Sequence, residues 1–100
     1  MRKKLDDSQI IESLSKLTLD WVFGDGFLKK SFKFKSFNNA IKFIKKVSVM
    51  CEEINHHPKW TNIYNIIDIE LNTHDINGIS ELEFKLSEYM NITYNEIESD

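Results

Sequence analysis

The sequence predicts an α+β domain: an antiparallel β-sheet of about four strands with three α-helices packed on one face. Three observations lead there. Apolar residues recur at helical spacing in three separate stretches, and they alternate with polar residues in the stretches between. The order is helix, two strands, helix, one strand or two, helix, and turn signals such as G-D-G and N-G punctuate it. Strand runs interleaved with helices in this way fold as a sheet covered on one side.

The first helix spans residues 8–18, with Ser8 as its N-cap and Ile10, Ile11, Leu14 and Leu17 along one face. Trp21, Val22 and Phe23 then enter G-D-G, and 27–35 alternates, with Leu28, Lys30, Phe32 and Phe34 on one face; residues 21–35 read as a β-hairpin. Lys30 interrupts that face, which points to an edge. Ser36 caps the clearest helix, 36–54, whose stripe is Phe37, Ala40, Ile41, Ile44, Val47, Cys51 and Ile54. Phe43 and Met50 widen the stripe beyond what one sheet face needs. Asn55 to Pro58 ends this helix, because the residue before a proline avoids helical angles.

Residues 62–73 alternate as one strand, with Ile63, Ile67, Ile69 and Leu71 facing the core and Tyr64, Asp68 and Glu70 facing away. A slip of one residue would bury Asp68 and Glu70, so the register is well specified. After a turn containing Gly78, Ser80 and Glu83 form an S-x-x-E capping box for a last helix carried by Leu82, Leu86, Tyr89 and Met90. The closing T-Y-N-E-I-E-S-D reads as a helix end or fraying tail, and the first few residues as a tail. Residues 1–100 thus make one domain, without repeat or linker.

With 41% hydrophobic and 29% charged residues and a net charge of −3, the composition is that of an ordinary globular protein. That balance gives no general attraction to nucleic acid or anionic membranes. The clusters Lys29, Lys30, Lys33, Lys35 and Arg2, Lys3, Lys4 read as solvated faces or tails. Phe32 and Phe34 alternate with the first cluster as in a half-buried strand, not a base-stacking surface. The one cysteine, Cys51, has no intrachain partner. No apolar run suits a signal peptide or a membrane span, so the expected compartment is the cytoplasm, with the nucleus also open.

The three histidines cluster around one stretch. His56 and His57 precede Pro58, the sole proline, and His74 follows 17 residues after His57. Metal ligation needs three or four convergent ligands, which adjacent residues rarely supply, and no H-x-x-x-H pattern is present. No metal is therefore expected. A histidine near a helix C-terminus also interacts well with the helix dipole without any chemistry. The third reading is acid–base work, for which imidazole suits neutral pH. A single strand over 62–73 would span about 35–40 Å. His56 and His74 could then meet only if residues 57–62 crossed the fold first.

The stretches E-E-I-N-H-H-P-K-W-T-N-I-Y and T-H-D-I-N-G-I-S-E-L-E together resemble the pterin-4a-carbinolamine dehydratases. The resemblance lies in an acidic residue four before His-His-Pro, a tyrosine shortly after, and Thr-His ten residues further: Glu52, His56, His57, Pro58, Tyr64, Thr73 and His74. Upstream, Trp21 and L-K-K-S-F-K-F-K-S-F-N-N-A-I-K-F are similar too, so it covers roughly residues 17–90. Two positions depart from the family: Asn77 stands where the family has the first of two glycines, and Glu83 where it has an aspartate.

The resemblance implies dehydration of 4a-hydroxytetrahydrobiopterin to quinonoid dihydropterin, recycling tetrahydrobiopterin with no cofactor. It implies His56 and His74 as acid and base, with His57 beside them binding and orienting the pterin. Glu52 would fix an imidazole tautomer from one helical turn away. Pro58 would shape the site, Trp60 cover the ring or fill the core, and Thr73 offer its hydroxyl or backbone. Glu83 would cap the last helix and, at the family's aspartate position, contribute to substrate binding. Family members in animals also serve as dimerisation cofactors of a homeodomain transcription factor through the middle helix. A homodimer or homotetramer, or such a transcription-factor partner, is therefore implied, without direct nucleic-acid or membrane binding. A pterin-binding protein that has lost turnover through the Glu83 change is a third reading.

Overall fold

The computed structural model describes residues 3–99; Met1, Arg2 and Asp100 lie outside them, including the Arg2 of the N-terminal basic cluster. Three helices and four strands follow in the order α1 (Asp7–Lys16), β1 (Val22–Gly24), β2 (Phe27–Lys33), α2 (Phe37–Glu53), β3 (Lys59–Ile63), β4 (Ile66–Leu71) and α3 (Glu81–Glu98), with a short 3-10 turn at His74–Ile76. The sheet is wholly antiparallel, in the order β1-β2-β4-β3.

The register explains the alternation. Leu28 pairs with Leu71 and Phe32 with Ile67, and all four are buried under the helices. Phe32 is surrounded by Trp21, Phe34, Phe43 and Tyr94, with ring centroids 4.9–6.3 Å apart. On the outer face Glu70 lies between Lys29 and Lys59, a charge-complementary row on a solvated sheet. Lys30 belongs to an inner strand, but β1 pairs only with residues 27–29, so Lys30 sits at a local edge. Its ammonium lies 5.3 Å from the centre of the Phe32 ring.

Three expectations are corrected. The first helix is capped by Asp6, not Ser8: Asp6 accepts from the Gln9 N–H, and Gln9 reaches back to the Asp6 N–H. This D-x-x-Q box satisfies two otherwise orphaned donors, and Ser8 instead donates to the Asp6 carboxylate. The buried stripe of α2 is Ala40, Phe43, Val47 and Cys51; Phe43 is in the core and Phe37 is largely exposed. Phe43 therefore does not widen an outer surface. Ser36 caps α2 as expected. Of the two readings of the closing stretch, the helix end holds: 93–98 is the end of α3. Ile97 is buried there, and Glu98 accepts from the Lys35 backbone and the Asn39 amide.

The third correction matters most. Residues 62–73 are not one strand but parts of two, reversing at Tyr64–Asn65. Tyr64 takes a positive φ of 52°, and Asn62 donates to the Tyr64 and Ile66 carbonyls across the turn. Because Lys59 pairs with Glu70, the chain leaves and returns at the same end of the sheet. His56 and His74 are brought together by this hairpin, with no crossing of the fold. Ile63, near the tip, is exposed rather than in the core.

Candidate active site

Helix α2 ends in a Schellman motif. Asn55 adopts the left-handed conformation (φ 51°), its N–H bonds the Glu52 carbonyl, and the His56 N–H bonds the Cys51 carbonyl at 2.9 Å. Asparagine tolerates this geometry where most side chains do not. The reversal sends His56 inward and leaves His57 outside, so that its ring folds back over the last turn of α2. His57 Nε2 lies 2.6 Å from Glu52 Oε2.

The second wall comes from the end of β4. Thr73 and Gly78 exchange backbone hydrogen bonds, closing a small loop that carries His74 and Asp75. Asn77 takes the left-handed conformation that the family's glycine would supply, with φ 48°, and its N–H bonds the His74 carbonyl. The turn survives the departure at this position. A side chain at Gly78 would meet Lys4, whose aliphatic stem lies across the loop.

Glu83 joins the two walls. As the third residue of α3 it accepts from the Ser80 N–H at 2.6 Å, completing the capping box. Its carboxylate also accepts from the hydroxyls of Ser80 and Thr73. Its Oε2 meets His56 Nε2. Glu83 is fully buried, and His56 nearly so. Burial pushes the Glu83 carboxyl upward, but the bonds from His56, Ser80 and Thr73 outweigh it and hold the group below the usual carboxylate range. The imidazole that Glu52 meets is that of His57 and not of His56 four residues on, because the left-handed Asn55 turns His56 away from α2 and toward the start of α3.

Asn55, His56, His57, Asn72, His74 and Asp75 line one open cleft of about 190 Å³. Thr73 and Glu83 lie behind it, buried, and Glu83 reaches it through His56. Pro58 is half-buried beside the histidines in sequence. Trp60 faces the core side of the sheet, opposite Ile69, and packs against the hydrophobic cluster. Tyr64 is at the far tip of the hairpin, exposed. Asn55, Asn72 and Asp75 were not singled out from sequence; their flanking of His-His and Thr-His was the available signal. Among the described residues no group of three or more His, Cys, Asp or Glu side chains is placed to hold a metal ion. Burial raises the Cys51 thiol to about 11, so it is not a nucleophile here.

A cleft with three imidazoles, one backed by a buried carboxylate, is equipped for proton transfer. A family profile described as Pterin 4 alpha carbinolamine dehydratase matches residues 3–93. This chain belongs to that family. Among its relatives, a "Putative pterin-4-alpha-carbinolamine dehydratase" of Prochlorococcus marinus is 44% identical over 87 residues, covering 87% of this chain and 91% of the relative. The protein of that name from Rhizobium meliloti is 42% identical, covering 88% of this chain and 86% of the relative. The crystal structure of a transcriptional coactivator/pterin dehydratase from Brucella melitensis superposes with a TM-score of 0.89 at 36% identity, covering 92% of this chain and 99% of that one. A pterin dehydratase-like RuBisCO assembly factor of the α-carboxysome shares the fold, with a TM-score of 0.65 at 20% identity. Among the described residues of this pterin-dehydratase family member, no helix is long and apolar enough to cross a membrane.

Proposed function

We propose that the protein dehydrates 4a-hydroxytetrahydropterins, giving quinonoid dihydropterin and water, and so serves the recycling of tetrahydrobiopterin. The observation that carries this reading is the His56–Glu83 pair opening onto the cleft that His74 shares. Losing water from a carbinolamine requires one group to protonate the leaving 4a-hydroxyl and another to take a proton from ring nitrogen. The reaction is redox-neutral, and no cofactor is needed. With Nε2 facing the Glu83 carboxylate, His56 keeps a proton there and has Nδ1 left for exchange with substrate. His74 is the partner acid or base, and His57, steadied by Glu52, orients the ring.

Each such group contributes about 10²–10⁴-fold to rate. The test is the dehydration rate of freshly generated 4a-hydroxytetrahydropterin, followed by absorbance, for the wild type, His56→Ala and His74→Ala. Circular dichroism establishes that each variant is folded. Both variants are expected to lose at least about tenfold. A folded wild type no faster than buffer ends the dehydratase reading. The same family reading carries a homodimer or homotetramer. Exposed Phe37 and Val49 on α2 offer contact surface, and light scattering reads the assembly.

A further inference from the structure

We infer that Lys4 is a positioning residue for His74: its aliphatic stem, laid over Gly78, braces the loop that carries the imidazole. The effect on rate rests on the dehydratase reading of the cleft, and the effect on the loop does not.

The three imidazoles are held in different ways. His56 meets Glu83, and His57 meets Glu52. His74 is exposed and has no such side-chain partner among the described residues. The backbone of its loop therefore sets its place. That loop is closed by the Thr73–Gly78 pair, with bonds of 2.9 and 3.3 Å, and by the Asn77 N–H on the His74 carbonyl at 3.0 Å. A short surface loop with few bonds and little buried apolar contact opens readily unless something packs on it.

The start of the chain does pack on it. The Leu5 N–H donates to the Ile79 carbonyl at 2.8 Å, and the Leu5 side chain rests against the hydrophobic core. Lys4, one residue earlier, runs across Gly78 so closely that a β-carbon there would lie 2.9 Å from its Cε, 3.1 Å from Cγ and 3.2 Å from Cδ. Gly26 is the one described glycine with positive φ, so Gly78 does not serve a left-handed turn. Its missing side chain is instead what lets the stem seat on the loop. A lysine stem covers surface while its ammonium stays in water, so the brace depends on methylenes and not on charge. A proton-transfer group acts in the transition state. Loosening its support therefore lowers kcat and leaves KM nearly untouched.

The test joins dehydration kinetics to amide hydrogen exchange read by NMR. Both are measured for the wild type, Lys4→Ala, Lys4→Met, Gly78→Ala and the Lys4→Ala/Gly78→Ala double variant. Lys4→Ala is expected to lower kcat about tenfold, with KM within about twofold of wild type. Its Asn77 and Gly78 amides should exchange about tenfold faster, while those of Val47 and Leu86 in the core keep their wild-type rates. Lys4→Met, which keeps a stem and lacks the charge, should restore kcat and protection together. Gly78→Ala should push the stem aside and act like Lys4→Ala, and the double variant should lose no more than either single one. Wild-type kcat in Lys4→Ala overturns the inference, as does a raised KM with kcat unchanged. So does a Lys4→Met as impaired as Lys4→Ala, which would assign the effect to charge, or losses that multiply in the double variant. A wild type without turnover ends the dehydratase reading alone if Lys4→Ala still frees the loop amides. Loop amides indifferent to Lys4→Ala overturn the brace whatever the turnover.

Discussion

His56 and His57 are neighbours in sequence, and each meets a glutamate through Nε2, yet the two pairs are physically unlike. The side chains of His56 and Glu83 are 6% and 0% exposed, whereas those of His57 and Glu52 are 58% and 76% exposed. The inner carboxylate has further donors in Ser80 and Thr73, so its charge is satisfied away from water. Solvent screens the outer pair, which lies over a helix end. One pair is therefore part of the fold, and the other can be lost with little structural consequence. A single left-handed residue, Asn55, separates the two fates.

Breaking the inner pair has the largest expected effect. His56→Ala leaves a buried carboxylate without its cationic or N–H partner, and Glu83→Ala leaves the Ser80 and Thr73 donors unmatched. Each should cost about 3–5 kcal/mol in urea denaturation, because removal of one partner strands the other in a dry site. Both should also lose dehydration rate at temperatures where they remain folded. An inner-pair variant within about 1 kcal/mol of the wild type would mean that the cluster is wetter than its burial indicates.

Acid should act on the inner pair next. Folding lowers the Glu83 carboxyl below its unfolded value, so this group adds stability above the unfolded value. The contribution is lost as pH falls through the lower, folded value. Below both values Glu83 contributes nothing. The Tm of Glu83→Gln should therefore fall less steeply than that of wild type when pH drops from about 7 to about 3. A Glu83→Gln curve parallel to wild type would show that the inner carboxylate is not ionised in the fold.

Much of the frame behind this comparison was legible in the sequence. The α2 cap at Ser36, the G-D-G hairpin, the facing of Ile67, Ile69 and Leu71, and the Ser80–Glu83 box all rest on local rules of period, turn and cap. The break at Tyr64–Asn65 was not legible, because no glycine or proline marks it. Its support comes from the Asn62 side chain and from Asn65, which bonds the distant Phe34 carbonyl. The partner of His56 was hidden for a related reason. Periodicity says which face of a helix is buried, but not which helix end will receive a residue from elsewhere in the chain. The family motif brought His56, His74 and Glu83 together on paper. Only the paired ends of β3 and β4 show how the chain accomplishes it.

The outer pair yields the smallest effect, and it sharpens the contrast most. Glu52 holds His57 through one short contact in solvent, where an ion pair is worth no more than about 1 kcal/mol and weakens with salt. Glu52→Gln should therefore leave urea stability within about 1 kcal/mol of wild type. If His57 orients the pterin, freeing its ring should raise KM by no more than about fivefold, the factor that 1 kcal/mol allows. Raising salt should bring wild type toward the variant, since screening removes the same contact that the mutation does. The inner pair, shielded from counterions, should show no such convergence between wild type and Glu83→Gln. Parallel salt titrations of KM for the two variants test this directly. Convergence at both sites would place Glu83 within reach of solvent, and convergence at neither would detach His57 from substrate binding.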